Sequence, residues 1–262
     1  MTRPFRPFWF AVTFAVMASL TPVSAEPSAS PKCSAPKDLA RLDRVLERTT
    51  RRLAAGDPVT IVAFGSSSTA GAGASSPDNT YPSRLAVELR QLFPGHPITV
   101  INRGVNGEEV ADMLARIDQT VLVEKPDVVI WQVGTNAVLR DYELQPAAAA
   151  IRAGLARFKE IGADVVLMDP QFAPKVIAKP EIGDMLRLIA TVAKQDNVDL
   201  FHRFAVMQTW RDASAIPSET FISPDELHMN DWGYGCLAKI LAGAIADAAT
   251  RPVLTAKVST VH

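Results

Sequence analysis

The sequence predicts a three-layer α/β/α sandwich built on a mainly parallel sheet of five strands. Short apolar runs rich in β-branched residues alternate along the chain with amphipathic helical patterns. The runs are apolar throughout, which is typical of strands buried on both faces by crossover helices. No period repeats and no long linker divides the chain, so we expect one domain over residues 57–250.

Residues 1–25 have the pattern of a secretory signal peptide. Arg3 and Arg6 precede an apolar run at 8–20, and Val23-Ser24-Ala25 is a small-residue cleavage pattern. The apolar run is short for a membrane span, although an uncleaved anchor is the alternative. We therefore expect cleavage near Ala25 and secretion, to a bacterial periplasm or the extracellular medium.

The elements after the signal peptide follow from local patterns. Residues 26–37 are rich in Ser and Pro, which predicts a disordered leader, and the amphipathic pattern at 38–56 predicts a helix packed on the outside of the domain. The last residues, 251–262, are expected to form a tail. The predicted strands are 59–64, 98–102, 128–133, 165–168 and 198–201, and the predicted helices are 81–92, 108–123, 147–161, 182–195 and 231–249.

Composition narrows the classes of partner. The 262 residues are 48% hydrophobic and 21% charged, as in globular proteins. Without residues 1–25, 25 basic side chains (27 less Arg3 and Arg6) face 28 acidic ones, a formal charge of −3. No basic block is present, so nucleic acid and anionic membrane surfaces are not expected partners. Stable membrane insertion is not expected once the signal peptide is cleaved. Cys33 and Cys236 could pair in an oxidising compartment or remain two thiols.

Polar residues follow the predicted strands. Because the carboxyl ends of parallel strands share one edge of a sheet, we expect these residues to lie near one another. Serines, glycines, an amide and a histidine favour acyl transfer over phosphate or metal chemistry. The segments are 65–69 (GSSST), 103–107 (RGVNG), 134–136 (GTN), 169–171 (DPQ) and His202.

A candidate base and its carboxylate stand near the end of the chain. Asp225 and His228 are three residues apart, just before an apolar helix. A serine nucleophile needs an imidazole to take its proton and a carboxylate to orient that imidazole. A surface turn with a chance histidine is the alternative interpretation, as an ordinary loop is for 65–69. His202 is the rival base.

Four short blocks in this order resemble the SGNH hydrolases, also called GDSL-type esterases and lipases. Block one is similar to Gly65-Ser66-Ser67 and block two to residues 102–107 (NRGVNG). Block three resembles residues 134–136, and the last block resembles residues 225–228 (DELH). The likeness covers about residues 57–249.

The resemblance implies a flavodoxin-like SGNH-hydrolase fold with Ser67 as nucleophile, Asp225 and His228 completing a triad, and no cofactor or metal. It also implies an oxyanion hole made by the backbone N–H groups of Ser67 and Gly107 and the side chain of Asn136. Ser66 stands where the family has aspartate, so Ser66 and Ser68 remain alternative nucleophiles. We expect Asn106, Thr135 and Gln171 to line the substrate pocket.

The expected substrate is a short acyl ester, acetyl above all, of a carbohydrate or cell-wall glycan, because no lid-like apolar insertion separates the blocks. The alternatives are a lipase, lysophospholipase or thioesterase for longer chains and a polysaccharide acetyltransferase. A glycan-binding protein without catalysis and a two-lobed solute-binding protein are less favoured. The oligomeric state is open, with a monomer as the default. Trp131 is expected in the core rather than in the pocket.

Overall fold

Residues 30–141 and 144–252 are described by the computed structural model. The predicted signal peptide therefore lies outside the described residues, as does nearly all of the predicted tail. The described residues from Cys33 onward form one compact unit. Among the described residues, no helix is both long enough and apolar enough to cross a membrane.

A five-stranded parallel sheet in the order β2-β1-β3-β4-β5 forms the centre of this unit. All five strands lie where the sequence predicts them, to within two residues at each end. Their bounds are Val59–Gly65 for β1, Ile98–Gly104 for β2, Val128–Gln132 for β3, Asp164–Met168 for β4 and Asp199–Phe201 for β5.

Two of the helices that cover the sheet have the predicted bounds, 81–92 and 182–195, whereas the ten-residue helix at 203–212 was not predicted. The described helices are α1 (Glu47–Ala55), α2 (Ser67–Ala70), α3 (Tyr81–Leu92), α4 (Val110–Thr120), α5 (Thr135–Leu139), α6 (Leu144–Glu160), α7 (Pro174–Ile177), α8 (Ile182–Gln195), α9 (Arg203–Asp212) and α10 (Asp231–Thr250). Short 3₁₀ turns occur at Pro77–Asn79, Leu122–Glu124 and Ser218–Thr220.

Two apolar layers pack on the sheet because successive side chains of a strand point to opposite faces. On one face, Ile61 and Ile130 are buried with side chains of α3, α9 and α10. On the other face, Phe64 and Trp131 are buried with side chains of α4, α6 and α8. Trp131 is fully buried, and its ring meets those of Phe64 and Phe158, which confirms its place in the core.

The N-terminal segment differs from the prediction of a helix over 38–56, since the helix begins only at Glu47. The amphipathic pattern correctly marks Leu42 and Leu46 as buried. However, the backbone before the helix bonds to other elements. The N–H of Arg44 donates to Asp199 Oδ1 at 3.0 Å, and Arg251 donates to the carbonyl of Leu42 at 2.6 Å. Tertiary hydrogen bonds thus replace the helical ones here.

Part of the predicted disordered leader is also held in place. Cys33 forms a disulfide with Cys236 of α10. The carbonyl of Ser34 accepts a hydrogen bond of 3.0 Å from the indole N–H of Trp210. These contacts fasten the chain at residues 33–34 to the side of the domain that carries α9 and α10, so the prediction of disorder over 26–37 is wrong for these residues.

Candidate active site

The three predicted triad residues form a continuous chain of hydrogen bonds. Ser67 Oγ lies 2.8 Å from His228 Nε2, and His228 Nδ1 lies 2.5 Å from Asp225 Oδ2. Although 161 residues separate Ser67 from His228, the sheet brings them together. Ser67 follows β1 and begins α2, and His228 lies in the loop that precedes α10. The distance between Ser67 Oγ and His228 Nε2 is within the range for direct proton transfer, and the bond to Asp225 orients the imidazole.

The loop at 223–230, here called the histidine loop, fixes Asp225 through several hydrogen bonds. Asp225 Oδ1 accepts from the hydroxyl of Ser223 at 2.7 Å and from the backbone N–H groups of Leu227 and His228 at 3.0 and 2.9 Å. Oδ2 is left for the imidazole. Ser223 is a support that the sequence analysis missed, although its place two residues before the aspartate is typical of a turn.

Hydrogen bonds stabilise the ionised form of Asp225. Desolvation by partial burial would by itself raise the pKa of Asp225. The hydrogen bonds from His228, Ser223 and Leu227 outweigh it and bring the pKa well below its ordinary value. The carboxylate is therefore ionised at neutral pH and holds His228 with its Nδ1 proton turned towards Asp225 and Nε2 facing Ser67.

His202 stands apart from this chain. Its Nδ1 lies 3.8 Å from Asp169 Oδ2, and it precedes α9 at the end of β5. Desolvation lowers the pKa of His202, with Asp43 opposing that shift. The rival base of the sequence analysis is thus directed to a different carboxylate.

The nucleophile turn, residues 65–70, contains one bonded and one unbonded backbone N–H at Ser66 and Ser67. Gln132 Oε1 accepts from the backbone N–H and the hydroxyl of Ser66, both at 2.9 Å. In the described part of the chain, no protein acceptor takes the N–H of Ser67. That N–H opens α2, and the first N–H groups of a helix have no partner within it.

The glycine loop, residues 105–109, lies next to the nucleophile turn. The N–H of Val105 donates to the carbonyl of Gly65 at 3.0 Å, which ties the two segments together. Gly107 has φ +78°, a conformation that glycine adopts without the strain of a side chain. Across the described residues, its N–H donates to no protein acceptor.

Asn136 approaches the glycine loop from α5. Its Nδ2 donates to the carbonyl of Glu108 at 2.8 Å, and the side chain is half-buried. An amide nitrogen carries two protons, so one donor of Asn136 remains beyond this bond. The adjacent Arg140 donates to the carbonyl of Gly107 at 2.9 Å. Both contacts set the position of the glycine loop relative to α5.

Two of the three predicted pocket residues are buried instead of lining a surface. Thr135 is 3% exposed and Gln171 is 1% exposed. The hydroxyl of Thr135 donates to Gln171 Oε1 at 3.0 Å, and Gln171 Nε2 donates to the carbonyl of Leu227 at 3.2 Å. Thr135 and Gln171 therefore help to position the histidine loop, because their polar atoms bond to one another and to that loop. Asn106 is exposed in the glycine loop and stays a predicted pocket residue.

A family model matches residues 32–251 of the chain, and its description is "Non-GDSL lipase-like family". The chain belongs to the Non-GDSL lipase-like family. The predicted resemblance to SGNH and GDSL-type hydrolases is confirmed at this level, as is the α/β fold.

Curated relatives of this family member match over part of its length. An acetylxylan esterase of Geobacillus stearothermophilus is 30% identical over 92 residues, which cover 31% of this chain and 42% of the relative. An arylesterase of Vibrio mimicus is 30% identical over 97 residues, 37% of this chain and 48% of the relative. The matched segments thus span less than half of either relative.

Solved structures share the fold of this Non-GDSL lipase-like protein. A two-domain esterase active on acetylated mannans, crystallised with mannopentaose, has a TM-score of 0.67 at 20% identity, covering 85% of this chain and 60% of that one. The acetylxylan esterase Axe2 of Geobacillus stearothermophilus has a TM-score of 0.60 at 21% identity over 71% and 94% of the two chains. A putative lipolytic protein of the G-D-S-L family from Desulfitobacterium hafniense has a TM-score of 0.59 at 22% identity over 71% and 99%.

Two further buried residues of this family member were not found from the sequence. Gln132, at the end of an otherwise apolar strand, meets Ser66 where the GDSL motif has an aspartate. Arg203 begins α9 with 0% exposure and meets Ser68 and Gln171. The polar ending of the strand "VVIWQ" is the one sequence signal that could have drawn attention to Gln132.

Proposed function

We propose that this protein is a serine esterase that removes short acyl groups, acetyl above all, from a carbohydrate or cell-wall glycan through an acyl-enzyme. The single observation that carries the proposal is the hydrogen-bond chain from Ser67 through His228 to Asp225, with distances of 2.8 and 2.5 Å. Nucleophile, base and orienting carboxylate in this order are the constellation of serine acyl transfer.

Acylation begins at Ser67, with His228 acting first as base and then as acid. Ser67 Oγ attacks the ester carbonyl carbon as its proton passes to His228 Nε2, and Asp225 stabilises the imidazolium that results. The carbonyl oxygen becomes an oxyanion. The N–H groups of Ser67 and Gly107 and the remaining amide proton of Asn136 are the donors available to it. The bond to the alcohol oxygen then breaks, and His228 returns its proton to that oxygen.

Deacylation repeats the sequence with water. A water molecule gives a proton to His228 Nε2 and adds to the acyl carbon. The bond to Ser67 Oγ breaks, Oγ regains its proton from His228, and the carboxylic acid leaves. Besides the ester and this water molecule, both halves use only side chains and backbone groups of the chain.

The expected substrate class is supported by two observations. The acetylxylan esterase relative and the esterase active on acetylated mannans both act on acetylated glycans by their descriptions. In addition, the nucleophile turn, the glycine loop and the histidine loop, all of them described, expose one large apolar side chain, that of Val105, at 43%. A long acyl chain would need a broader apolar surface beside the nucleophile.

Secretion is part of the same proposal. The signal-peptide pattern at 1–25 and the Cys33–Cys236 disulfide both suit an oxidising compartment outside the cytosol. Polymeric glycans are accessible to an enzyme there.

The test is hydrolysis of p-nitrophenyl acetate, butyrate and octanoate and of acetylated xylo-oligosaccharides by the protein and by Ser67→Ala. We expect kcat/KM to be highest for acetyl esters and to fall on the order of 10⁴-fold or more in the variant. A fluorophosphonate probe should label Ser67, located by mass spectrometry. Undiminished activity in Ser67→Ala would reject this nucleophile, and a preference for octanoate would reject the short-acyl assignment.

A further inference from the structure

The buried guanidinium of Arg203 connects the nucleophile turn, which carries Ser67, with the segment that contacts the histidine loop. Arg203 is 0% exposed. Its Nε donates to the carbonyl of Asp169 at 2.9 Å, Nη1 donates to Ser68 Oγ at 2.9 Å, and Nη2 donates to Gln171 Oε1 at 3.0 Å. The three bonds use the planar fork of the side chain to hold two separate segments, α2 and the loop that follows β4.

Each end of this arrangement adjoins a reacting residue. Ser68 directly follows Ser67 in α2. Gln171 follows β4, and its Nε2 donates to the carbonyl of Leu227, the residue before His228. A continuous path of hydrogen bonds, Ser68–Arg203–Gln171–Leu227, therefore runs beneath the site from the nucleophile turn to the histidine loop.

Burial of a cation at this place has a cost in stability. Desolvation lowers the pKa of Arg203 to about 10, although the nearby Asp169 opposes the shift. Buried polar networks can often be replaced as a whole by apolar side chains of similar volume with little loss of stability. Stability alone thus gives little reason for an arginine here, whereas the fixed geometry of its fork offers one.

We propose that Arg203 is a positioning residue for the reaction: through Ser68 and Gln171 it fixes the distance between Ser67 Oγ and His228 Nε2. The inference rests on the proposed esterase function. Direct proton transfer needs these atoms about 2.6–3.2 Å apart, and they are 2.8 Å apart. A misplacement of about 1 Å can cost on the order of 10²-fold in rate, so a loosened connection should lower kcat.

The experiment uses Arg203→Met, Arg203→Lys, Gln171→Met and Ser68→Ala, with p-nitrophenyl acetate as substrate. We expect Arg203→Met to lower kcat about 10- to 100-fold with KM within about twofold. Arg203→Lys keeps the charge without the fork, so its kcat should lie between those of Arg203→Met and the unsubstituted protein. The rate of fluorophosphonate labelling at Ser67 should fall in parallel with kcat.

Two variants keep the test decisive if Arg203→Met does not fold. Gln171→Met cuts the path at the histidine loop, and Ser68→Ala cuts it at the nucleophile turn. Each should lower kcat about 10-fold while the folded fraction, followed by circular dichroism, stays near one. Undiminished kcat in both, or full kcat in Arg203→Lys, would overturn the proposal.

Thr49→Val is the matched control. The hydroxyl of Thr49 donates to Asp164 Oδ2 at 2.8 Å, and Thr49 is 2% exposed. Because Asp164 begins β4, this bond lies at the end of the sheet away from the site. The control loses a buried hydrogen bond and some stability but should keep kcat. If the unsubstituted protein hydrolyses no ester, the proposed function fails; if it does and all path variants behave like Thr49→Val, only this inference fails.

Discussion

Gln132 Oε1 accepts two hydrogen bonds of 2.9 Å from Ser66, one from its backbone N–H and one from its hydroxyl. The same oxygen lies 3.5 Å from the hydroxyl of Thr69. All three residues are buried. In the GDSL motif an aspartate occupies the position of Ser66, so here a neutral amide of the neighbouring strand secures the nucleophile turn.

The first prediction distinguishes the effect of Ser66 from that of Gln132 on stability and on kcat. Ser66→Ala removes one of the bonds to Gln132, so it should cost about 1 kcal/mol of unfolding free energy and leave kcat for p-nitrophenyl acetate little changed. Gln132→Met leaves several buried donors without an acceptor, at about 1–3 kcal/mol each, and should also lower kcat. Urea unfolding and steady-state kinetics give both quantities. Loss of all activity in Ser66→Ala would instead indicate that Ser66 is the nucleophile.

The second prediction concerns the backbone of Gly107. A Cβ at this position meets only Arg140 Nη2, at 3.5 Å, so space within the protein does not require glycine. The φ of +78° does, because a side chain costs about 1–2 kcal/mol there. Gly107→Ala should therefore lower kcat as the loop shifts its N–H away from the acyl oxygen. Gly95, with φ +87° and open surroundings, offers the control Gly95→Ala. Equal kcat in the two variants would contradict an oxyanion role for Gly107.

The third prediction separates charge stabilisation from loop anchoring at Asn136. Asn136→Ala should lower kcat on the order of 10²- to 10³-fold, as expected for the loss of one oxyanion donor. Arg140→Ala also releases the glycine loop, since Arg140 bonds to the carbonyl of Gly107 and pairs with Glu109 at 3.0 Å. That control should change kcat far less. A similar fall in both would mean that Asn136 acts only by holding the loop.

The fourth prediction concerns the pH dependence of stability at Asp169. Burial raises the pKa of Asp169 from its ordinary 3.8 to about 7, although the N–H of Phe204 and the charge of Arg203 oppose the shift. Between about pH 4 and 7 the unfolded chain loses this proton while the folded one retains it. This carboxyl therefore makes the folded state progressively less stable as pH rises through that window.

Asp169→Asn should remove this dependence and keep the acceptor for Phe204. Relative to the variant, the protein should lose up to about 4 kcal/mol of unfolding free energy between pH 4 and 7.5. Urea unfolding at several pH values measures the difference, with the exposed Asp78→Asn as control. Parallel pH curves for the protein and Asp169→Asn would refute the assignment.

The fifth prediction concerns the disulfide between Cys33 and Cys236, which are 203 residues apart in the sequence. Replacing both with serine should lower the unfolding free energy by up to roughly 5 kcal/mol, since a longer closed loop restricts the unfolded chain more. The kcat of the folded variant should not change, because neither cysteine bonds to the triad. A large loss of kcat at a temperature where the variant stays folded would oppose this.

The sequence predicted the elements with strong local patterns. The five strands are short, apolar and bounded by turns, and α3 and α8 have regular amphipathic stripes. The segment before Glu47 was mispredicted because its backbone bonds to Asp199 and Arg251, which are far away in the sequence. The helix α9 was not predicted, although its buried residues Val206, Met207 and Trp210 have helical spacing. The burial of its first residue, Arg203, is marked by no pattern of apolar positions.

The candidate site also contains residues that the sequence indicates and residues that it does not. The residues of the proposed triad could be named because short motifs carry them: Ser67 follows β1, and Asp225 and His228 precede α10. The buried hydrogen bonds next to the site could not be predicted, because their partners are distant in the sequence. Ser68 and Arg203 are 135 residues apart, and Ser66 and Gln132 are 66 apart. Sequence patterns report which side chains are polar, but not which of them meet in the interior.

The bridge from residue 33 to residue 236 also governs how the chain responds to a protease. A single cut at any peptide bond between these positions would leave two fragments joined by sulfur atoms. On a denaturing gel such a nicked molecule would separate into two bands only after a thiol is added. A protease could thus cleave an exposed loop between residues 33 and 236 without releasing either fragment.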